Sequence, residues 1–294
     1  MSEIKYPIST DDVLYAFPRS LRLDLKILRG YYGVFSLEVK HDPSSPFFLD
    51  EGDGSSRSLF VPADSGISFL TILNKSYEFD KVLFYSQLAS KHENGILFLD
   101  IGANVGLISR QCLRVIDNIK ALYCYEPHAD NFDLLFRNLG GISNVFLENS
   151  GLSDRDGAEE FYEDPQNVGN CSLNVRAMPE KYHVSKIKLL SAAREESKWM
   201  SHGLPIFYKS DTQGNDELIA TNLSDSFWQS VHAGSFELWR LPGKEFNQAR
   251  FAQILDSFPA KSFESKRTEL VSTDTIMKFL DGSDQAIEDL LFWR

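Results

Sequence analysis

The stretch that most narrows what this chain can fold into is FLDIGANVG, residues 98–106. Ile96–Ile101 (ILFLDI) is an almost unbroken apolar run, the pattern of a strand buried on both faces. It passes into a glycine-containing turn and then, from Leu107 toward Ile119, into a helical pattern. The same alternation continues downstream. Ala121–Tyr125 (ALYCY) reads as a second strand, with a helix through Asn131–Leu139, and Asn144–Leu147 as a third strand. Ile206–Lys209 is the fourth main strand, with a helix opening after Gly214. Phe236–Leu241 is the fifth, followed by a helix over Asn247–Ser257. Further short strands are expected at Ala158–Tyr162 and Ile187–Leu190, and a helix at Ala192–Met200. Strands alternating with helices predict an α/β domain with a parallel sheet and crossover helices.

The N-terminal part reads differently. Val13, Leu14, Phe17, Leu21, Leu25 and Leu28 recur at helical spacing from Asp11 to about Leu28, interrupted by Pro18. Candidate strands Val34–Val39 and Ser58–Pro62 flank a loop containing Asp50–Arg57 (DEGDGSSR). Residues 1–65 are expected to be a cap or extension through which the protein forms homo-oligomers, and 66–294 the main domain.

Composition limits the partners. Lys and Arg number 30 against 42 Asp and Glu, a formal charge of -12. An acidic surface repels phosphate backbones, so nucleic acid is not expected as a partner. No stretch approaches the roughly 20 apolar residues that span a bilayer, and MSEIKYPISTDD lacks the apolar core of a signal peptide. A cytoplasmic protein is expected. Cys112, Cys124 and Cys171 share no CxxC spacing and read as reduced thiols.

The turn after the first strand has the physics of a ligand site. Gly102 and Gly106 allow close backbone approach, and the helix that follows leaves unpaired N–H groups at its positive end, suited to a carboxylate. Asp100, at the strand's carboxyl end, is expected to accept hydrogen bonds from a ligand ammonium or from the glycine backbone. At the tip of the second strand, Glu126 (YCYEP) lies where an acid clamps ribose hydroxyls. The dinucleotide fingerprint G-x-G-x-x-G is not met, because Asn104 occupies its middle glycine position. Asn104 can instead hydrogen-bond the amino-acid end of S-adenosylmethionine (SAM), which carries no pyrophosphate; SAM is the expected cofactor. Glu148, Asn149 and Ser150, after the third strand, are candidates for the adenine edge.

With these segments the chain also carries NVFLENSGLSDRDGAEEFYE, GNCSLN (Gly169–Asn174) and YKSDTQGNDELI (Tyr208–Ile219). In this order, between about Tyr77 and Leu241, they resemble the motifs of the FkbM family of SAM-dependent methyltransferases. The resemblance implies the class I methyltransferase fold, a Rossmann-like seven-stranded sheet with its last strand antiparallel and helices on both faces. It also implies O-methylation of a sugar in a surface polysaccharide or glycolipid, or of another small hydroxylated metabolite. Two departures from the family pattern stand out. Ser210 replaces an apolar residue in the strand, and Asn215–Asp216 replaces a small residue followed by Glu. They leave a non-catalytic SAM-fold binding or scaffold module as the alternative.

Methyl transfer to an alcohol needs in-line positioning and a place for the hydroxyl proton. Asp211, after the fourth strand, is the first candidate, as base, as orienting group or as holder of a divalent ion. Its competing reading is as a cap of the helix after Gly214. Lys209, two residues away on the same strand face, is expected to lower the Asp211 pKa, and Gln213 either to bind substrate or cofactor or to stabilise the loop. No HxH or His-x-x-Glu spacing points to a structural metal. His128, His183 and His202 are weaker candidates, and His92 and His232 read as surface residues. Trp199, Tyr182 and Phe207 are candidate acceptor walls.

Overall fold

The structure, a computed structural model, describes residues 26–29, 35–39, 43–52, 55–62, 76–164, 171–241 and 244–294. Strands β1 (Lys26–Arg29), β2 (Phe35–Val39) and β3 (Leu59–Pro62) form a small antiparallel sheet. The helical pattern expected from Asp11 therefore ends in a strand at Lys26–Arg29, and its earlier part lies outside the described residues.

The main domain begins with α1 (Phe79–Ala89). It continues through β4 (Ile96–Ile101), α2 (Leu107–Val115), β5 (Ile119–Tyr125), α3 (Ala129–Leu139) and β6 (Val145–Glu148). Helix α2 stops short of Ile119, which opens β5 instead. Four strands follow: β7 (Gly151–Ser153), β8 (Gly157–Glu163), β9 (Cys171–Ser172) and β10 (His183–Ser191). Then come α4 (Ala192–Met200), β11 (Ile206–Ser210), α5 (Asp216–Thr221), α6 (Asp225–Ser230) and β12 (Val231–Arg240). The chain ends with α7 (Gln248–Asp256), β13 (Ala260–Phe263), α8 (Thr273–Leu280) and β14 (Ala286–Trp293).

The seven-stranded sheet has the order β13-β14-β12-β11-β4-β5-β6. The pairs from β12 to β6 are parallel, and β14 runs antiparallel to both its neighbours. This is the class I methyltransferase sheet. Side chains alternate across it as the pleat requires. Leu97, Leu99, Tyr208, Phe236 and Phe292 enter one core, with Trp228 and Phe251. Ile96, Phe98, Leu122 and Phe207 enter the other, with Tyr85 of α1 and Cys112 of α2.

The strands expected at 158–162 and 187–190 do not join this sheet. They belong to a second one, β7-β10-β8-β9, in which Gly157–Glu163 pairs antiparallel with His183–Ser191. Its apolar side, Phe161, Ile187 and Leu189, is buried, while the paired Glu160 and Lys186 alternate outward. The N-terminal strands dock on the main domain. Phe47, Leu59 and Val61 pack with Val105, Leu107 and Leu134. The buried Arg110 guanidinium donates to the carbonyls of Phe47, Ser58 and Asn138. Among the described residues no helix is long and apolar enough to cross a membrane.

Candidate functional site

Parallel strands leave a crevice at their carboxyl ends where successive connections diverge to opposite faces. Here it opens beside β4, beyond the tips of β5, β11 and β12, with a volume of about 440 Å³. Residues 102–105 of the turn, Glu126, Lys209, residues 211–213 and Asn215 line it, together with Glu237 and Trp239 of β12. The second sheet supplies an apolar wall from Gly151, Leu152, Phe161 and Ile187, and Tyr77 and Glu78 close the side near α1.

The turn is shaped by three left-handed residues: Gly102 at φ 74°, Asn104 at 51° and Gly106 at 82°. At Gly102 a Cβ would lie 1.8 Å from the Asp211 carbonyl oxygen, so only glycine lets the β4 and β11 tips meet this closely. At Gly106 a Cβ would press on Leu135 of α3. Gly106 caps α2 without a side-chain hydrogen bond, leaving the helix's positive end open to the crevice. Asparagine tolerates the left-handed region. The backbone N–H of Asn104 donates to Glu126 Oε2 at 2.9 Å, and its side-chain Oδ1 is buried without a hydrogen-bond partner. An orphaned acceptor in a crevice wall is the position a ligand's donor would fill.

Glu126 is gripped by its own chain, accepting from Asn104 N–H and, at 2.8 Å, from His128 N–H. Burial nevertheless pushes its pKa up to about 7 against those two donors.

Asp100 departs from its expected role. It is completely buried and does not line the crevice. One oxygen accepts from Ser109 Oγ at 2.6 Å, and the other from the Lys209 ammonium at 2.9 Å. A lysine this deep in the sheet needs a counter-charge, and Asp100 is the residue paired with it across β4 and β11. Lys209 also donates to the Gly102 carbonyl at 3.1 Å and lies 3.7 Å from Asp211 Oδ2.

Asp211 faces the crevice and caps no helix; the N-cap of α5 is Asn215, without a side-chain cap bond. Burial would raise the Asp211 pKa, but Lys209 and then Lys81 outweigh it and hold the carboxylate below its usual range. Gln213, at φ 54°, donates from one Nε2 to Asp211 Oδ1 at 3.1 Å and to Glu237 Oε2 at 2.8 Å. Ser210 and Asp216, the departures within the β11 segment, account for each other: the buried Ser210 hydroxyl donates to Asp216 on the face of the sheet away from the crevice-lining Lys209.

Asn149 and Ser150 do not line the crevice. The chain turns there into β7, and the Asn149 amide donates instead to the Glu126 and Pro127 carbonyls. The neighbouring Gly151 and Leu152 take the wall position. The aromatic candidates lie elsewhere too. Phe207 and Trp199 are core residues, and Tyr182 packs on Tyr162. His128 caps α3, His202 meets the Tyr123 hydroxyl at 2.9 Å, and His183 is exposed on β10. His92 and His232, expected at the surface, are half-buried against each other.

Besides the apolar wall, the lining residues not anticipated include Tyr77, Glu78, Glu237 and Trp239. Glu237 had a visible signal, a lone acid inside the apolar strand FELWRL. Tyr77 and Glu78 precede α1 in a stretch with no motif.

No family model matches the sequence, and none of the curated proteins does. Solved structures do resemble it. The methyltransferase FkbM from Methylobacillus flagellatus KT is 11% identical over 68% of this chain and 44% of its own, with a TM-score of 0.40. This chain thus spans less than half of that protein's length. A SAM-dependent O-methyltransferase from Thermotoga maritima is 12% identical over 93% of this chain and 86% of its own, at a TM-score of 0.35. The 23S rRNA methyltransferase ErmE is 12% identical over 74% and 69%, at 0.30. The likeness is one of fold, and it spans proteins named for different acceptors.

Proposed function

We propose that the crevice binds SAM and that the chain is a SAM-dependent O-methyltransferase acting on a hydroxyl of a sugar or another small hydroxylated metabolite. The observation that carries the cofactor is the combination at the 102–106 turn: a glycine cradle that a Cβ would fill, the orphaned Asn104 Oδ1, and Glu126. Asn104 Oδ1 would accept from the ligand's ammonium, the open end of α2 would face its carboxylate, and Glu126 would hold the ribose hydroxyls. The apolar wall of Leu152, Phe161 and Ile187 suits the adenine. Bound SAM supplies an electrophilic methyl on a sulfonium.

The residues of the chain have two tasks. Gly102 and the Asp211 carbonyl touch, so the cofactor turn and the acceptor-binding acid form one rigid unit. Asp211 N–H also donates to the Ile101 carbonyl at 3.0 Å. Rigid juxtaposition of this kind replaces part of the entropy cost of bringing two reactants together. Asp211 then orients the acceptor hydroxyl and receives its proton. Because Lys209 keeps this carboxylate weakly basic, orientation contributes more than proton abstraction.

The acceptor is a small molecule and not a nucleic acid on this reading, since Glu78, Asp211 and Glu237 line its end of the crevice. Calorimetry with SAM and with NAD tests the cofactor, and methyl release from labelled SAM onto hydroxylated acceptors tests the reaction. Saturable NAD binding with none of SAM would overturn it.

A further inference from the structure

The acceptor end of the crevice holds a second carboxyl group that neither the motifs nor the reaction scheme above uses. Ser210 pairs with Phe236 across β11 and β12, so the next residues, Asp211 and Glu237, stand level on one face. Asp289 of β14 pairs with Glu237 in turn. The single Gln213 amide nitrogen donates to both carboxyl groups, at 3.1 Å to Asp211 Oδ1 and at 2.8 Å to Glu237 Oε2, and so bridges the two acids. Two buried acids bridged by one amide do not both ionise readily, so the pair holds one proton.

The surroundings decide which acid holds it. Toward Asp211 come the Lys209 ammonium from β11 and, further off, Lys81 from α1. Toward Glu237 come further acids, Asp211, Asp216 and the paired Asp289, and two neutral donors, Gln213 and the Trp239 indole. Lys81 is itself paired with Glu78, Asp289 and Glu264. Both neutral donors meet Glu237 Oε2, which leaves Oε1 for the O–H.

We infer that Glu237 is a second catalytic residue, forming with Asp211 a dyad that shares one proton and binds a neutral acceptor carrying two adjacent hydroxyls. The inference rests on the SAM reading above. One acceptor hydroxyl donates to Asp211, and its neighbour is met by the Glu237 carboxyl, which both donates and accepts. As the first oxygen bonds to the methyl carbon, the carbon–sulfur bond breaks. Its electron pair stays on sulfur to give the thioether, and the hydroxyl proton passes to Asp211. An anionic acceptor is disfavoured, because Lys209 is already paired with Asp100 while Glu78, Asp211 and Glu237 face the space.

The test has two stages. Calorimetry with S-adenosylhomocysteine comes first; failure to bind overturns the cofactor reading itself. On protein saturated with that ligand, ligand-observed NMR measures binding of methyl α-D-mannopyranoside, cyclohexanol and mannose phosphate. The mannopyranoside is expected to bind at least about tenfold more tightly than the other two. Glu237→Ala should weaken it by more than about tenfold, Asp211→Asn by a similar factor, and Glu237→Gln, whose amide N–H replaces the O–H, by less than about threefold. Difference infrared spectra of wild type against Glu237→Gln should show one protonated carboxyl lost near about pH 7, a readout that does not depend on the acceptor. Glu237→Gln keeps the acceptor oxygen for Gln213 and Trp239, so folding is preserved. Mannose phosphate binding as tightly as the neutral glycoside, no saturable glycoside binding, Gln as damaging as Ala, or no lost carboxyl band overturns the dyad while leaving the cofactor reading intact.

Discussion

The Lys209 ammonium and the Asp100 carboxylate face each other at 2.9 Å from directly paired positions of β11 and β4, both shut away from water. Opposed charges in a strand pair are worth little at a surface but much when one is removed from a buried site. Lys209→Met should therefore cost about 3–5 kcal/mol in urea unfolding, because it strands a fully buried Asp100. The same change should raise the Asp211 pKa, moving the acidic limb of any methyl-transfer pH profile upward. An unchanged profile would show that Lys209 does not govern Asp211.

Gly102→Ala is expected to be damaging beyond its helix or strand propensity. The added Cβ meets the Asp211 carbonyl in a left-handed backbone. The β4 and β11 tips would have to part, and SAM affinity should fall by more than about tenfold even where the protein remains folded. Calorimetry and a thermal melt on the same sample separate the two effects.

Glu126 gives the site a pH signature. Its pKa in the free protein lies near 7, raised by burial. Ribose hydroxyls donate to the ionised form, so cofactor binding should strengthen as pH rises through that value and weaken as the carboxyl takes up a proton below it. Titrations between about pH 6 and about pH 8 should show this slope in wild type and a flatter dependence in Glu126→Gln. A slope that persists in the variant would assign it to another group.

Arg110 ties the N-terminal strands to the domain. Arg110→Met leaves the carbonyls of Phe47, Ser58 and Asn138 without their donor, at a cost of at least about 2 kcal/mol. Hydrogen exchange should rise first at residues 43–52 and 55–62 and only later in β4 and β5, if docking through this one side chain holds the segment.

What could be read in advance follows from which interactions are local. The β4 run, the glycine turn and Glu126 are encoded in contiguous residues whose spacing alone places an acid at one strand tip and a turn at the next. The pairing of Lys209 with Asp211 on one strand face is likewise local, since it needs only the two-residue repeat of an extended chain.

Other features required the whole sheet. Glu237 is an ordinary strand acid until β12 docks beside β11, in a register that sets it level with Asp211. The ILFLDI pattern marks Asp100 as a strand-end acid, but only the arrival of Lys209 from a strand more than a hundred residues later turns it into a buried counter-ion. Asn149 and Ser150 look like ligand contacts until the second sheet draws the chain away from the crevice. The final strands β13 and β14 carried no motif, yet they complete the sheet and bring Asp289 to Lys81. Sequence determined the elements and the cofactor turn because backbone conformation and pleat are set by near neighbours. Tertiary structure decided which carboxylates are neutralised and which face the crevice, because charge burial depends on partners that meet only when distant strands pair.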